Sequence, residues 1–165
     1  MIWLLAALAL AEPPPEAPTL DVTHWVVRGP VDLAAPDSVV VIEVWATWCG
    51  PCRETFPQLS KLQRSYGDQI AVVGLTDENP VRVRRFYDRN RAEMRYALAV
   101  DTSGESLQAL MFGGFGGNGL PSTYVIQDGK LVWGGAPRQL SAALETLIGP
   151  PSVATEAVVE APSDH

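Results

Sequence analysis

Residues 39–66 read VVVIEVWATWCGPCRETFPQLSKLQRSY, and this stretch decides the fold. Val39 to Ala46 is an apolar, β-branched run, which is typical of a strand buried on both faces of a sheet. Gly50 to Tyr66 follows with the periodicity of a helix, which we expect Pro57 to kink. The apolar stripe of this helix consists of Phe56, Leu59, Leu62 and Tyr66. Two cysteines therefore lie where a buried strand gives way to a helix.

Strand and helix patterns alternate along the rest of the chain. Strands are predicted over residues 24–28, 70–75 and 96–100, with a hairpin of 123–127 and 130–133 around Asp128-Gly129. Helices are predicted over 80–90, capped by Asn79, and over 104–112 and 138–148. This order predicts an α/β fold with a central mixed sheet and helices on both faces. The cysteines should then lie at the carboxyl end of a central strand, where such sheets place their sites.

The chain has two cysteines, Cys49 and Cys52. A bridge between them closes too short a loop to stabilise a fold strongly. A structural zinc site needs four ligands, and haem attachment needs a histidine where this chain has Arg53. A redox-active dithiol remains, and it requires no metal and no cofactor.

The position of the pair gives the two sulfurs unequal roles. A helix N-terminus favours an anion, and the thiolate is the reactive form of cysteine. We therefore expect Cys49 to attack a partner's disulfide and Cys52 to resolve the mixed disulfide. Gly50 and Pro51 keep the turn tight. The alternative is a pair of inert, buried thiols.

Three segments resemble the thioredoxin superfamily, and in particular its exported branch of TlpA/ResA-like thiol–disulfide oxidoreductases. They are WATWCGPCRETFP at 45–57, VDTSG at 100–104 and GLPST at 119–123. The resemblance covers roughly residues 24–149. It implies a thioredoxin-like fold and thiol–disulfide exchange with other proteins.

The resemblance also implies a substrate-binding edge beside the dithiol. Pro121 matches the family's cis-proline, and Leu120 before it would offer its backbone to an extended substrate segment. The alternative is an ordinary trans proline in a turn. Trp48 is expected to form an exposed wall of the site, whereas Trp45 is expected in the core.

Glu43 interrupts an otherwise apolar strand, six residues before Cys49. A buried carboxyl there should have a raised pKa and could accept the proton of Cys52 through water. The alternative is a carboxylate at a strand edge, paired with an arginine. The family often carries a glutamate three residues after the second cysteine, where this chain has Thr55 with Glu54 beside it.

Two further features depart from the family pattern. The glycine-rich segment 113–119 is either a flexible connector or a mobile rim on which Phe115 contacts substrate. An arginine cluster is either a solvated helix face or a docking surface for an acidic partner. Its members are Arg82, Arg84, Arg85, Arg89, Arg91 and Arg95.

The ends of the chain have their own composition. Residues 1–11 are apolar and end in Ala9-Leu10-Ala11, which predicts a signal peptide too short to span a bilayer as a helix. An uncleaved anchor or a strand is the alternative. Residues 12–23 predict a proline-rich acidic linker, extended and solvated over residues 12–18. Residues 24–149 are expected to form the domain, and 150–165 a flexible acidic tail. The net charge of −7 disfavours nucleic acid as a partner.

We therefore expect a monomeric, exported or periplasmic protein-disulfide reductase without a stable membrane span once the signal is cleaved. A membrane-bound or other thiol donor would supply electrons, envelope proteins would be substrates, and cytochrome c maturation is one role of the family. Gly50-Pro51 favours reduction over oxidation. One alternative is a peroxiredoxin-like peroxide reductase, but Thr47 is one residue short of the T-x-x-C pattern. The other is a binding or chaperone module, against which the intact cysteines argue.

Overall fold

The structure is a computed structural model that describes residues 13–117 and 119–151. Its strands are β1 (His24–Val27), β2 (Val39–Val44), β3 (Ala71–Thr76), β4 (Ala97–Val100), β5 (Ser122–Gln127) and β6 (Lys130–Gly135). Its helices are α1 (Gly50–Tyr66), α2 (Pro80–Asn90), α3 (Glu105–Phe112) and α4 (Leu140–Ile148). Short 3₁₀ turns at Gly67–Gln69 and Pro137–Gln139 follow α1 and precede α4.

The strands form one six-stranded sheet in the order β1-β4-β3-β2-β5-β6. The central strands β2, β3 and β4 are parallel, whereas β1, β5 and β6 run antiparallel to their neighbours. The predicted mixed sheet is therefore confirmed. All six residues of β2 are buried, as its apolar sequence predicted, and β2 leads directly to the cysteine pair.

Helices cover both faces of the sheet, as predicted. On one face, which we call the α1 face, the core is built from α1, α2 and α4 through Phe56, Val83, Phe86, Leu140 and Leu144. On the other, the α3 face, Leu107 and Leu110 of α3 pack on the sheet together with the segment before β1. Side chains alternate along β2, so Val41, Glu43 and Trp45 face α1 whereas Ile42 and Val44 face α3.

Local chemistry explains where several elements begin and end. β1 stops at Val27 because Arg28 adopts a left-handed conformation with φ 51°. The hairpin turn has positive φ at both Asp128 and Gly129, as a two-residue turn between twisted strands requires. Asn79 caps α2 by accepting hydrogen bonds from the N–H groups of Val81 and Arg82. Helix α1 continues through Pro57 to Tyr66.

The segment before β1 corrects one expectation. We expected residues 12–23 to be a linker, solvated over residues 12–18, but residues 15–23 contact the domain. The N–H of Ala17 donates to Gly129 O at 2.8 Å, and the N–H of Asp21 donates to Ser106 Oγ at 2.7 Å. Leu20 and Val22 join the core of the α3 face. Their apolar side chains gain more from burial than from solvation.

The predicted signal peptide and most of the predicted tail lie outside the described residues. Within residues 13–117 and 119–151, no helix is both long and apolar enough to cross a membrane.

Candidate active site

Cys49 and Cys52 are joined by a disulfide at the N-terminus of α1, with their Cα atoms 5.3 Å apart. Cys49 is the N-cap residue of the helix, and its Sγ accepts a hydrogen bond from the N–H of Cys52 at 3.2 Å. Cys49 is 4% exposed and Cys52 is fully buried. The sulfur of Cys49 thus lies against a backbone donor and nearer to solvent, which is the arrangement that stabilises a thiolate.

A polar cluster holds the loop that precedes the dithiol. The N–H of Thr47 donates to Glu78 Oε2 at 2.6 Å, and its hydroxyl donates to Glu78 Oε1 at 2.8 Å. Arg82 Nε donates to Thr47 Oγ1 at 3.0 Å and pairs with Glu78 at 3.2 Å. With Thr47 held in this way, the neighbouring Trp48 projects outward and is 69% exposed, as expected. The sequence held no signal for Glu78 beyond its position just after a buried strand.

The predicted cis bond between Leu120 and Pro121 is present. Pro121 contributes to an open groove of about 380 Å³ beside the dithiol. The groove is also lined by Pro51, Glu54, Thr55, Gln58, Ala136, Pro137 and Arg138. Leu120 is half-buried and packs against both cores. The structure therefore brings Trp48, Gly50, Pro51, Leu120 and Pro121 to the same end of the sheet.

Glu43 is fully buried on the α1 face. It lies in the middle of the sheet, paired with Gly74 of β3 and Thr123 of β5, so the alternative of a carboxylate at a strand edge is wrong. The Glu43 carboxyl accepts a hydrogen bond at Oε1 from the hydroxyl of Thr55. Burial raises the pKa of Glu43 from 4.5 to about 8, and the hydrogen bond from Thr55 opposes this rise.

The rings of Trp45, which was expected in the core, and of Tyr96, which was not singled out, lie next to Gly74 on β3. A Cβ added at Gly74 would lie 2.9 Å from Trp45 Nε1 and 3.2 Å from a ring carbon of Tyr96, so the missing side chain makes room for both rings. Burial, and after it the negative charge of Glu43, raises the pKa of Tyr96 well above its ordinary value. The signal for this arrangement was a glycine within an otherwise apolar strand.

The glycine-rich segment 113–119 and the arginine cluster, the two departures from the family pattern, differ in how they pack. Phe115 is half-buried and packs on the core of the α3 face, whereas Phe112 before it is 78% exposed. The aromatic side chain that faces solvent next to the glycine-rich segment is thus Phe112. In the arginine cluster, Arg84 pairs with Asp88 at 3.2 Å, and Arg82 is part of the Thr47 cluster.

This arrangement can carry thiol–disulfide exchange. A disulfide between a helix cap and a deeper cysteine accepts two electrons and returns them through a mixed disulfide. A buried carboxyl whose pKa is raised to about 8 can exchange protons with the pair.

Known proteins are similar to this chain in sequence and in fold. The thioredoxin-like protein YneN of Bacillus subtilis is 29% identical over 93 residues, which are 54% of this chain and 50% of YneN. The thiol-disulfide oxidoreductase ResA of Bacillus thuringiensis subsp. konkukian is 27% identical over 96 residues, 56% of this chain and 51% of ResA. The chain thus spans about half the length of these curated relatives.

A solved structure shows the same fold. The crystal structure of a thiol-disulfide isomerase from Corynebacterium glutamicum superposes with a TM-score of 0.61 at 24% identity, covering 79% of this chain and 96% of that one. The expected thioredoxin-like fold is confirmed. Because the sequence pattern described as the AhpC/TSA family matches residues 16–133, most of the domain, this chain belongs to the AhpC/TSA family.

Proposed function

We propose that this chain is a thiol–disulfide oxidoreductase that reduces disulfide bonds in other proteins. The observation that carries the proposal is the bonded pair of Cys49 and Cys52 at the start of α1, with Cys49 capping the helix. The names of ResA and YneN, and the shared fold, support the same chemistry.

The two sulfurs act in turn. The Cys49 thiolate attacks one sulfur of a substrate disulfide, forms a mixed disulfide and releases the other substrate sulfur as a thiolate. Cys52 then loses its proton and attacks Cys49 Sγ, which breaks the mixed disulfide and releases the second substrate sulfur. Solvent protonates the released thiolates. The enzyme is left with the Cys49–Cys52 bond seen in the structure.

Glu43 serves as the acceptor of the Cys52 proton, through water. It lies on the face of β2 that packs on α1 and contacts the residue one turn after Cys52. Burial holds its pKa near 8 instead of 4.5, so the carboxyl exchanges protons in the range where thiols do. The fully buried Cys52 would otherwise have to lose its proton inside an apolar core.

Substrate contacts come from the rim of the site. The exposed ring of Trp48, the residue before Cys49, offers apolar surface, and the groove that contains Pro51 and Pro121 offers more. The backbone of Leu120, just before Pro121, binds an extended segment of the substrate. Such contacts to backbone and general apolar surface suit an enzyme that accepts several protein substrates.

The cellular setting follows from the same reasoning. The apolar residues 1–11 direct export, and envelope proteins, among them apocytochromes awaiting haem, are the substrates. A membrane-bound or other thiol donor reduces the Cys49–Cys52 bond after each cycle. The Gly50-Pro51 dipeptide, which the chain shares with reducing thioredoxins, supports the reductive direction.

The test is reduction of insulin disulfides by dithiothreitol, together with the reduction potential of the cysteine pair in a glutathione buffer. We expect the wild-type protein to accelerate insulin reduction and the Cys49→Ser variant to be inactive. A wild type that leaves insulin reduction unchanged contradicts the proposal, and a strongly oxidising potential reverses the direction. Consumption of hydrogen peroxide in the same buffer, at rates exceeding insulin reduction, would instead establish a peroxide reductase.

A further inference from the structure

The hydroxyl of Thr55 lies between the buried carboxyl and the dithiol turn. Thr55 is one helical turn after Cys52, and its Oγ1 is 2.6 Å from the carbonyl oxygen of Cys52. The same Oγ1 contacts Glu43 Oε1, which belongs to β2. One side-chain atom therefore joins the central strand to the backbone of the deeper cysteine.

A hydroxyl has one hydrogen, so it can donate only one of these two bonds at a time. A backbone carbonyl can only accept, and an ionised carboxylate can only accept. When Glu43 is ionised, two acceptors thus compete for the hydrogen of Thr55. When Glu43 carries a proton on Oε1, the acid donates to Thr55 Oγ1, and the hydroxyl is free to donate to Cys52 O.

We propose that Thr55 is a positioning residue whose hydroxyl moves its hydrogen between the Cys52 carbonyl and the Glu43 carboxylate, and so couples the protonation of Glu43 to the first turn of α1. The inference rests on the proposed function, because it gives the coupling a use in the redox cycle. Proton transfer to Glu43 restores the bond from Thr55 to Cys52 O. Thr55 then donates to the turn that holds the new disulfide.

Among the residues around Glu43, Thr55 is the one that donates a hydrogen bond to its carboxyl. From β3 the facing residue is Gly74, which has no side chain. From β5 it is Thr123, whose buried hydroxyl makes no hydrogen bond within the described residues. Among the residues that the structure describes, the titratable groups near Glu43 are Tyr96, just before β4, and the cysteine pair at the start of α1. Tyr96 stays neutral because its pKa is raised well above its ordinary value. In the oxidised protein the cysteines do not titrate, so Glu43 is the group whose charge changes near neutral pH.

The experiment follows the titration of Glu43 in the oxidised protein, by the infrared band of its carboxyl and by the carbonyl ¹³C shift of Cys52. Glu43→Gln identifies the infrared band. In the wild type we expect the Glu43 infrared band and the Cys52 carbonyl shift to change with pH at the same midpoint. In Thr55→Val, which keeps the shape and removes the hydroxyl, the Glu43 midpoint should rise by roughly one pH unit, and the Cys52 shift should lose most of its pH dependence.

Two controls separate this role from a merely structural one. Thr55→Ser should keep the wild-type midpoint of Glu43 and the wild-type pH dependence of the Cys52 carbonyl shift, because serine retains the hydroxyl. Thr146→Val should change neither, since the Thr146 hydroxyl donates to the carbonyl of Ala142 on α4 and not to a carboxylate. An unchanged Glu43 midpoint in Thr55→Val, or a Cys52 shift that titrates as fully as in the wild type, overturns the proposal. No substrate is present, so failure of the insulin assay is a separate result.

Discussion

Glu43 of β2 lies directly opposite Gly74 of β3 in the parallel pair at the centre of the sheet. This pairing explains how a carboxyl, a tryptophan and a tyrosine share one buried region. A side chain at residue 74 would occupy the space that the rings of Trp45 and Tyr96 take up. The glycine therefore shapes the surroundings of Glu43 without contacting the cysteines.

Gly74→Ala should destabilise the protein by about 1–3 kcal/mol, because the new methyl group meets Leu98 Cδ2 and Trp45 Nε1, each at 2.9 Å. Urea denaturation of the oxidised protein measures this. Gly50→Ala is the matched control, since nothing lies within 4 Å of a Cβ at Gly50. Equal stability of the two variants would show that the region around Gly74 adjusts freely.

Glu43 should make the stability of the folded protein depend on pH. Its pKa is about 8 in the folded state and 4.5 as the ordinary value, so the folded protein binds the proton more tightly. The stabilisation is complete below pH 4.5 and is lost as the pH rises towards 8, by a few kcal/mol in total. Relative to Glu43→Gln, the oxidised wild type should therefore lose stability between pH 5 and pH 8 in denaturant titrations, a window set by these two pKa values.

The matched control for this prediction is Glu54→Gln, which removes an exposed carboxyl from the same helix turn as Thr55. Its stability should follow that of the wild type across the pH range. A wild type whose stability difference from Glu43→Gln is constant between pH 5 and pH 8 would show that Glu43 is ionised throughout that range.

Trp45 and Trp48 are three positions apart and should respond in opposite ways to replacement by alanine. Trp45 is fully buried, with its ring 5.4 Å from Phe56 and 5.5 Å from Phe86, so its loss should cost about 3–5 kcal/mol of folding free energy. Trp48 is 69% exposed, so its loss should change stability by less than about 0.5 kcal/mol. Trp48→Ala should instead raise the KM for insulin. An unchanged KM would show that Trp48 does not contact the substrate.

The unequal roles of the cysteines predict unequal trapping. Cys52→Ser should accumulate a mixed disulfide with a substrate protein, because Cys49 can attack but nothing resolves the product. Cys49→Ser should accumulate none, since Cys52 is fully buried. Non-reducing electrophoresis after incubation with a disulfide-containing protein reads out both variants. Equal trapping by the two would mean that either sulfur can attack.

The segment before β1 should contribute to stability although it lies outside the predicted domain. Leu20→Ala removes a half-buried side chain from the core of the α3 face and should cost about 1–2 kcal/mol. Thr19→Ala, at the exposed neighbouring residue, is the control. A Leu20→Ala variant as stable as the control would mean that the segment lies on the surface without adding to the core.

Much of this protein followed from residues that are close together in sequence. The apolar run of β2, the CGPC turn and the striped helix after it predicted a strand, a dithiol and a helix, because burial periodicity and helix capping are local properties. The Asp128-Gly129 turn and the Asn79 cap were predicted for the same reason. The cis bond at Pro121 came from resemblance, since local sequence alone permits either isomer.

What the tertiary structure decided is which distant residues meet. Glu43 stands opposite Gly74 and contacts Thr55 only because β2, β3 and α1 pack in one register. Glu78 holds the loop of Thr47 from 31 residues away, and residues 15–23 complete a core that their acidic, proline-rich composition did not predict. Local sequence establishes the reactive pair. The burial that raises the pKa of Glu43 depends on strands and helices from across the whole domain, and only the assembled fold provides it.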